Sequence, residues 1–190
     1  MNSPEFEALA AQVQRLTDIE EIQRLKNAYF RCLDTANIDE LRELLTHDYT
    51  CRCIGGYYEY VASGRDEFLG MVSDSFNSQM VTQHNAHGPE IDILSPSEAK
   101  GLWYFSDQVY NFSTREFLIG TGLYRDHYVK LEGRWKVQTA EYERVYEVTE
   151  TLSRPPHLTA HYLGQHGKQL PDNAVYVPAT GRWEYDPGNA

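Results

Sequence analysis

The 190-residue chain is long enough for one domain with a single sizeable core, and its 41% hydrophobic and 24% charged content is ordinary for a globular protein. A formal net charge of −11 argues against nucleic acid and anionic membrane surfaces as partners, because both are bound through Lys and Arg. The sequence contains neither a long apolar run nor a basic segment followed by an apolar one at its N-terminus. We therefore expect a cytoplasmic protein that does not span the membrane.

Helical spacing of apolar residues predicts four helices in the first part of the chain. The first covers about residues 6–16, and a capping box that opens at Thr17 begins a second helix, which should end near Asp34. A third helix is expected over about 38–48, and a fourth over about 65–76. The first part of the chain is therefore predicted to be largely helical.

Strand composition dominates the second part of the chain. Segments bounded by Gly, Pro, Asn and Ser predict strands at 49–54, 80–87, 90–95, 99–111, 117–131 and 134–148. Helices followed by a long antiparallel meander predict an α+β fold, in which helices cover one face of a curved sheet. Residues 1–150 are expected to form this domain.

Residues 151–190 have a different composition, with five prolines and several aromatic residues. Residues 174–177 and 182–185 flank a turn sequence and predict a small hairpin. We expect this C-terminal extension to pack on its own domain or on a neighbouring subunit. One hypothesis is that it covers a ligand pocket.

Five polar side chains are candidates for chemistry. Asp34 stands near the negative end of a helix dipole, so it needs solvent or a cationic or hydrogen-bonding partner such as an imidazolium. His84 could use such a carboxylate to orient its ring for proton transfer, although His87 is an alternative base. Strand alternation places Asp107 on an apolar face, where a carboxylate needs a partner, and the planar fork of Arg144 could anchor either that carboxylate or a substrate oxygen.

The aromatic and cysteine residues bear on ligands. The chain has 14 Tyr, 7 Phe and 3 Trp, which suits either a pocket for a large, flat ligand or an aromatic core. The odd number of cysteines fits a reducing compartment. We expect Cys51 and Cys53 to point to opposite strand faces, and we predict no metal site. No G-x-S-x-G, Walker A or dinucleotide fingerprint is present, which weakens hydrolase, kinase and nicotinamide hypotheses.

The order and spacing of several motifs resemble the SnoaL-like branch of the nuclear-transport-factor-2-like (NTF2-like) superfamily over about residues 8–148. The motifs are Asp18-Ile19-Glu20-Glu21-Ile22 running to Tyr29 and Asp34, Thr82-Gln83-His84, Ala99–Asp107, Gly120–Tyr128 and Gly133–Val137. The resemblance implies a cone-shaped α+β barrel around a deep pocket and cofactor-free chemistry on a small molecule. Members include scytalone dehydratase, bile-acid 7α-dehydratase, hexachlorocyclohexane dehydrochlorinase, polyketide cyclases and ketosteroid isomerase.

The bile-acid dehydratase type is the most similar member, and its catalytic residue types fall on Tyr29, Asp34, His84, Asp107 and Arg144. The resemblance implies an acid–base lyase without cofactor or metal, acting on a bulky aromatic or polycyclic substrate, and a homodimer or homotrimer. The alternatives are a lyase that releases formaldehyde from lignin-derived diarylpropanes, an isomerase or cyclase, and a non-catalytic binding module. The expected substrate-binding residues are His87, Trp103, Phe105, Tyr124 and Tyr49.

Overall fold

A computed structural model describes residues 3–154, 156–171, 173–177 and 182–184. In chain order the elements are α1 (Pro4–Asp34), α2 (Ile38–Leu44), β1 (Leu45–Ile54), β2 (Glu59–Ser63), α3 (Arg65–Ser75), β3 (Met80–Ser95), β4 (Glu98–Asn111), β5 (Glu116–Leu131), β6 (Arg134–Thr151), α4 (Tyr162–His166), β7 (Val175–Val177) and β8 (Arg182–Glu184). The α+β class predicted from the sequence is confirmed.

Helix α1 is one continuous helix, so the predicted boundary at Thr17 is wrong. Its N-cap is Ser3, whose side chain accepts a hydrogen bond from the backbone N–H of Phe6. The Thr17 hydroxyl instead donates to the carbonyl of Val13 at 3.0 Å, as Ser and Thr do inside helices. A capping-box sequence is compatible with a helix interior when nothing next to it breaks the helix.

The main sheet has six strands in the order β2-β1-β6-β5-β4-β3. All neighbours pair antiparallel except β1 and β6, which run parallel. The sheet is curved but open, because β2 and β3 form its two edges and do not pair with each other.

Three strand predictions need correction. β3 continues through the expected breaker at Gly88, where a register shift and a φ of +57° absorb the irregularity. β1 begins at Leu45, within the region predicted as the third helix. Strand β2 was not predicted, although its Tyr and Val content is typical of strands.

The buried face of the sheet packs against the helices and forms one hydrophobic core. On β1, Tyr49 and Cys51 are both buried and belong to this core, and Cys53 packs against it. Residues two apart on a strand share a face, so the expectation that Cys51 and Cys53 point to opposite faces was wrong.

Buried Asp18 attaches helix α1 to the β5–β6 hairpin of the sheet. Its carboxylate accepts hydrogen bonds from Lys130 and, at 3.1 Å, from the indole N–H of Trp135. Burial opposes the charge of Asp18, but these donors outweigh it and lower the pKa of the carboxyl. The carboxylate therefore remains ionised and ties the helix to the β5–β6 hairpin.

The described part of the C-terminal extension packs on its own domain. His161 Nε2 lies 2.8 Å from the carbonyl of Met80, and the carbonyl of Lys168 accepts from the backbone N–H of Ser78 at 2.9 Å. Leu163 on α4 is buried. β7 and β8 pair as predicted, while the turn at 178–181 and Tyr185 lie outside the described residues. Among the described residues, no helix is long and apolar enough to cross a membrane.

Candidate active site

His84 and Asp34 form a hydrogen-bonded pair where the C-terminal end of α1 meets β3. His84 Nδ1 lies 2.7 Å from Asp34 Oδ1, and the backbone N–H of His84 donates to Oδ2 at 2.8 Å. The hydroxyl of Thr82, two residues earlier and on the same strand face, donates to Oδ1 at 2.8 Å. These donors compensate a carboxylate at the negative end of a helix dipole. They also fix the imidazole by its Nδ1 edge.

Asp107 and Arg144 form a second pair on the inner face of the sheet. Two parallel hydrogen bonds join them, from Arg144 Nη1 to Oδ1 at 2.5 Å and from Nη2 to Oδ2 at 2.7 Å. Arg144 Nε also lies 3.0 Å from Glu147 Oε2. Burial opposes the charge of Arg144, but the hydrogen bonds with Asp107 outweigh it and raise the pKa of the guanidinium. Arg144 is therefore a fixed cation.

The two pairs lie in one row that crosses the four strands β3, β4, β5 and β6. His84 on β3 is directly opposite Asp107 on β4, and Asp107 is opposite Gly120 on β5. A Cβ at Gly120 would stand 2.9 Å from Arg144 Nη1, so the missing side chain lets Arg144 on β6 reach across β5 to Asp107. The row thus alternates acidic and basic side chains, from Asp34 through His84 and Asp107 to the Arg144 cation.

Tyr29 is buried five residues before Asp34 on α1, and its hydroxyl lies 3.1 Å from that of Tyr49 on β1. Burial, with Tyr49 as a neighbour, raises the pKa of Tyr29 well above its ordinary value. Tyr29 is therefore a neutral phenol, which can donate a hydrogen bond but is a poor base. Its ring contacts Phe30, and the ring of Phe30 stacks on His84 at 5.6 Å, so the link from Tyr29 to His84 is indirect.

An aromatic cluster joins the two pairs on the inner face. The ring of Phe105 contacts Phe30 at 6.5 Å and lies 5.1 Å from the Arg144 guanidinium. Tyr124 and Tyr142 pack against Phe105, with centroids at 4.8 and 5.0 Å. An ionisable row on this apolar surface suits a flat ligand with few polar groups.

A buried ion pair, Lys26–Asp126, lies behind this cluster. Lys26 Nζ is 2.7 Å from Asp126 Oδ2, and both side chains have no exposed surface. The ammonium lies 3.6 Å from the ring centroid of Tyr124 and 4.9 Å from those of Tyr29 and Phe30. Burial lowers the pKa of Lys26 and raises that of Asp126, and each charge opposes the shift of the other.

Several predicted site residues do not line the cavity that contains Asp34 and His84: Tyr29, Tyr49, Phe105 and Tyr124 are buried in the core, and His87 and Trp103 lie elsewhere. His87 is three residues after His84, so strand alternation turns it to the outer face, where it is exposed and stacks on Tyr104 at 5.6 Å. Trp103 is on the inner face, but its indole N–H donates to Tyr128 at 2.9 Å. That hydroxyl donates in turn to Asp126, so Trp103 belongs to the network of the buried ion pair. His87 is therefore not placed to bind a ligand of His84.

Sequence reasoning missed Thr82, Lys26 and Glu147. Lys26 carried a usable signal, because it stands on the buried face of α1 between Ile22 and Tyr29, where a charge requires a partner. The partners of Thr82 and Glu147 depend on strand register, which spacing does not reveal. Among the described residues, no group of three or more His, Cys, Asp and Glu side chains is arranged to hold a metal ion.

Each end of the row borders a cavity. A cavity of about 330 Å³ is bounded by Asp34 and His84 together with Phe30 and Ala86. Another, of about 490 Å³, is bounded by Arg144 and Glu147 and by residues 54–57. Both volumes fall in the range of small-molecule sites. The Asp34–His84 pair is thus accessible to a small ligand.

A curved, mostly antiparallel sheet with helices packed on one face is an NTF2-like architecture. A solved NTF2-like protein of Novosphingobium aromaticivorans shares it, with a TM-score of 0.58 and 17% identity over 76% of this chain and 92% of that one. The family model for the SnoaL-like domain matches residues 14–141. The chain therefore belongs to the SnoaL-like family.

Other solved structures share the fold at low identity. A scytalone dehydratase-like protein of Novosphingobium aromaticivorans has a TM-score of 0.62 and 22% identity, over 76% of this chain and 93% of that one. The hexachlorocyclohexane dehydrochlorinase LinA-type3 of Novosphingobium barchaimii has a TM-score of 0.64 and 16% identity, over 76% and 99%. At these identities the likeness shows the fold alone.

Proposed function

We propose that this protein is a cofactor-independent lyase in which His84 is the catalytic base. The observation that carries the proposal is the Asp34–His84 pair, with 2.7 Å between Oδ1 and Nδ1 at the edge of a cavity. A carboxylate on Nδ1 holds the ring in the tautomer whose Nε2 lone pair can accept a proton, and it stabilises the imidazolium that follows. Lyase-type enzymes among proteins of the same fold are consistent with it.

The remaining groups have complementary roles in this proposal. His84 removes a proton from a substrate carbon or hydroxyl, and Tyr29, a neutral phenol, donates a hydrogen bond to the leaving or developing oxygen. Both Nη atoms of Arg144 donate to Asp107, and Nη2 also lies 3.4 Å from the Tyr58 hydroxyl, so we assign Asp107 to orienting Arg144. Arg144 then presents its remaining N–H groups to a substrate oxygen. The elimination is a dehydration when the leaving group is a hydroxyl.

The substrate in this proposal is a bulky hydroxylated aromatic or polycyclic compound. Support comes from the inner face, where Phe30 stacks on His84 and the rings of Phe105 and Tyr142 lie 5.1 and 5.4 Å from the Arg144 guanidinium. The same aromatic surface favours a second candidate, a carbon–carbon lyase that releases formaldehyde from lignin-derived diarylpropanes. An isomerase or cyclase would use the same base without a leaving group, and a binding module would use the pocket without chemistry.

The test is mass spectrometry after incubation with a hydroxylated 3-oxo steroid and with a lignin-type diarylpropanediol. Wild type is compared with His84→Ala and, as matched control, with His87→Ala, which removes a histidine from the opposite face of the same strand. A product lighter by one water, or by one formaldehyde, identifies the reaction. We expect His84→Ala to lose at least about a hundredfold in rate and His87→Ala to keep wild-type turnover. Equal rates in wild type and His84→Ala would refute the role of His84.

A further inference from the structure

The first four turns of α1 form a helical arm with a continuous apolar stripe. Every residue from 3 to 17 is exposed, and within the part of the chain that the structure describes nothing covers this arm. Phe6, Leu9, Val13 and Leu16 are 57%, 58%, 54% and 66% exposed. Four large apolar side chains in one exposed row are unusual on a monomer surface and mark an interaction site.

The stripe faces away from the protein's own core. At about 100° per residue, the arm stripe and the buried stripe of the same helix, which includes Ile22, Leu25 and Tyr29, differ in direction by about 170°. A straight helix therefore cannot turn the arm stripe onto its own domain. Most helical stability in proteins comes from tertiary packing, which this arm lacks, so packing against something else would stabilise it.

The spacing of the stripe suits a second copy of the same arm. Residues 6, 9, 13 and 16 are separated by three, four and three positions, which is the a/d pattern of a coiled coil. Val13 at an a position with Leu9 and Leu16 at d positions favours two parallel strands. The flanking g and e positions hold Glu5, Gln12, Ala10 and Thr17, and in a parallel pair Glu5 of one arm faces Ala10 of the other, so no like charges meet across the seam despite the net charge of −11.

We propose that the arm binds the arm of a second copy of this chain as a short, parallel, two-stranded coiled coil. The domains then lie on opposite outer sides of the pair, because each domain packs on the face of α1 that points away from the stripe. Two heptads are fewer than a self-sufficient coiled coil needs, and the buried area is below that of a standard interface. The arm contact by itself should therefore be weak, with a dissociation constant in the micromolar range or above.

The test is sedimentation equilibrium of the full chain over a range from low to several hundred micromolar. The wild-type mass should rise with concentration from 21.9 kDa towards at least twice that value. Leu9→Glu combined with Leu16→Glu should weaken this association at least about a hundredfold, because it places charges in the seam. Ala11→Glu, which adds a carboxylate on the opposite side of the arm, should leave the association unchanged. A wild type that stays monomeric, or a double variant that associates normally, overturns the proposal.

A cross-link checks the parallel register. In a parallel pair the two a-position residues face each other, so Val13→Cys should form an intermolecular disulfide under mild oxidation. Ala11→Cys and the wild type, with its own Cys32, Cys51 and Cys53, are the controls and should not. Equal cross-linking of Val13→Cys and Ala11→Cys would overturn the parallel arrangement.

Discussion

Replacing Lys26 with Met should strongly destabilise the protein, because it leaves Asp126 buried without its counter-charge. The two groups are 2.7 Å apart with no exposed surface. At an effective dielectric of about 20, that distance corresponds to a gross attraction of about 6 kcal/mol. Removing one partner of a buried pair typically costs about 3–5 kcal/mol net, and Met matches the Lys side chain closely enough that little of this loss comes from a cavity.

The free energy of unfolding that Lys26→Met loses should increase as the pH rises. Burial raises the pKa of Asp126, and removal of Lys26 takes away the charge that opposes the rise. A carboxyl with a raised folded-state pKa destabilises the fold as pH rises from the ordinary value of 3.8 through that pKa. Lys26→Met should therefore lose little stability near pH 4 and most near pH 8.

The assay is urea unfolding followed by tryptophan fluorescence at pH 4.5 and pH 8 for Lys26→Met, Asp126→Asn and the double variant. The Asn carbonyl can still accept from Tyr128, whose hydroxyl lies 2.6 Å from the Asp126 carboxylate. The double variant should therefore recover most of the stability lost in Lys26→Met at pH 8. A pH-independent loss in Lys26→Met, or no recovery in the double variant, would show that packing rather than charge accounts for this site.

The remaining predictions concern the row from Asp34 to Arg144, the contacts of Asp18 that hold α1 to the sheet, and the C-terminal extension. Gly120→Ala should lower the free energy of unfolding by about 1–3 kcal/mol and lower turnover, because its Cβ would meet Arg144 Nη1 and the Tyr146 carbonyl at 2.9 Å. The control is Gly70→Ala, where the Cβ meets open space, and thermal unfolding measures the stability of both variants. Asp18 has a lowered pKa in the folded state, so its contribution to stability is present above about pH 4 and is lost as pH falls through the folded pKa. Asp18→Asn should therefore make the free energy of unfolding depend less steeply on pH in the acid range, and an unchanged dependence would contradict the pKa argument. Deleting residues 151–190 tests the hypothesis that the extension covers the pocket, because unchanged turnover by the truncated chain would remove that role.

The sequence by itself determined the features that depend on local periodicity. Alternation along β4 placed Asp107 on the inner face with Phe105, and the structure has both of them buried. Apolar spacing located α1 as far as Asp34, although an internal sequence that resembled a cap suggested a false boundary. The same alternation rule, applied to the three-residue step from His84, would have excluded His87 from the site.

Only the tertiary structure decided which distant groups meet. Asp34 and His84 are brought together by the packing of the end of α1 on β3, and Arg144 reaches Asp107 because strand register places Gly120 between them. The partner of Lys26 is a residue on β5 that no spacing in the sequence links to α1. Periodicity is a property of a few consecutive residues, whereas these contacts depend on sheet register and helix docking. The sequence thus predicted the candidate residues, and their pairing came from the fold.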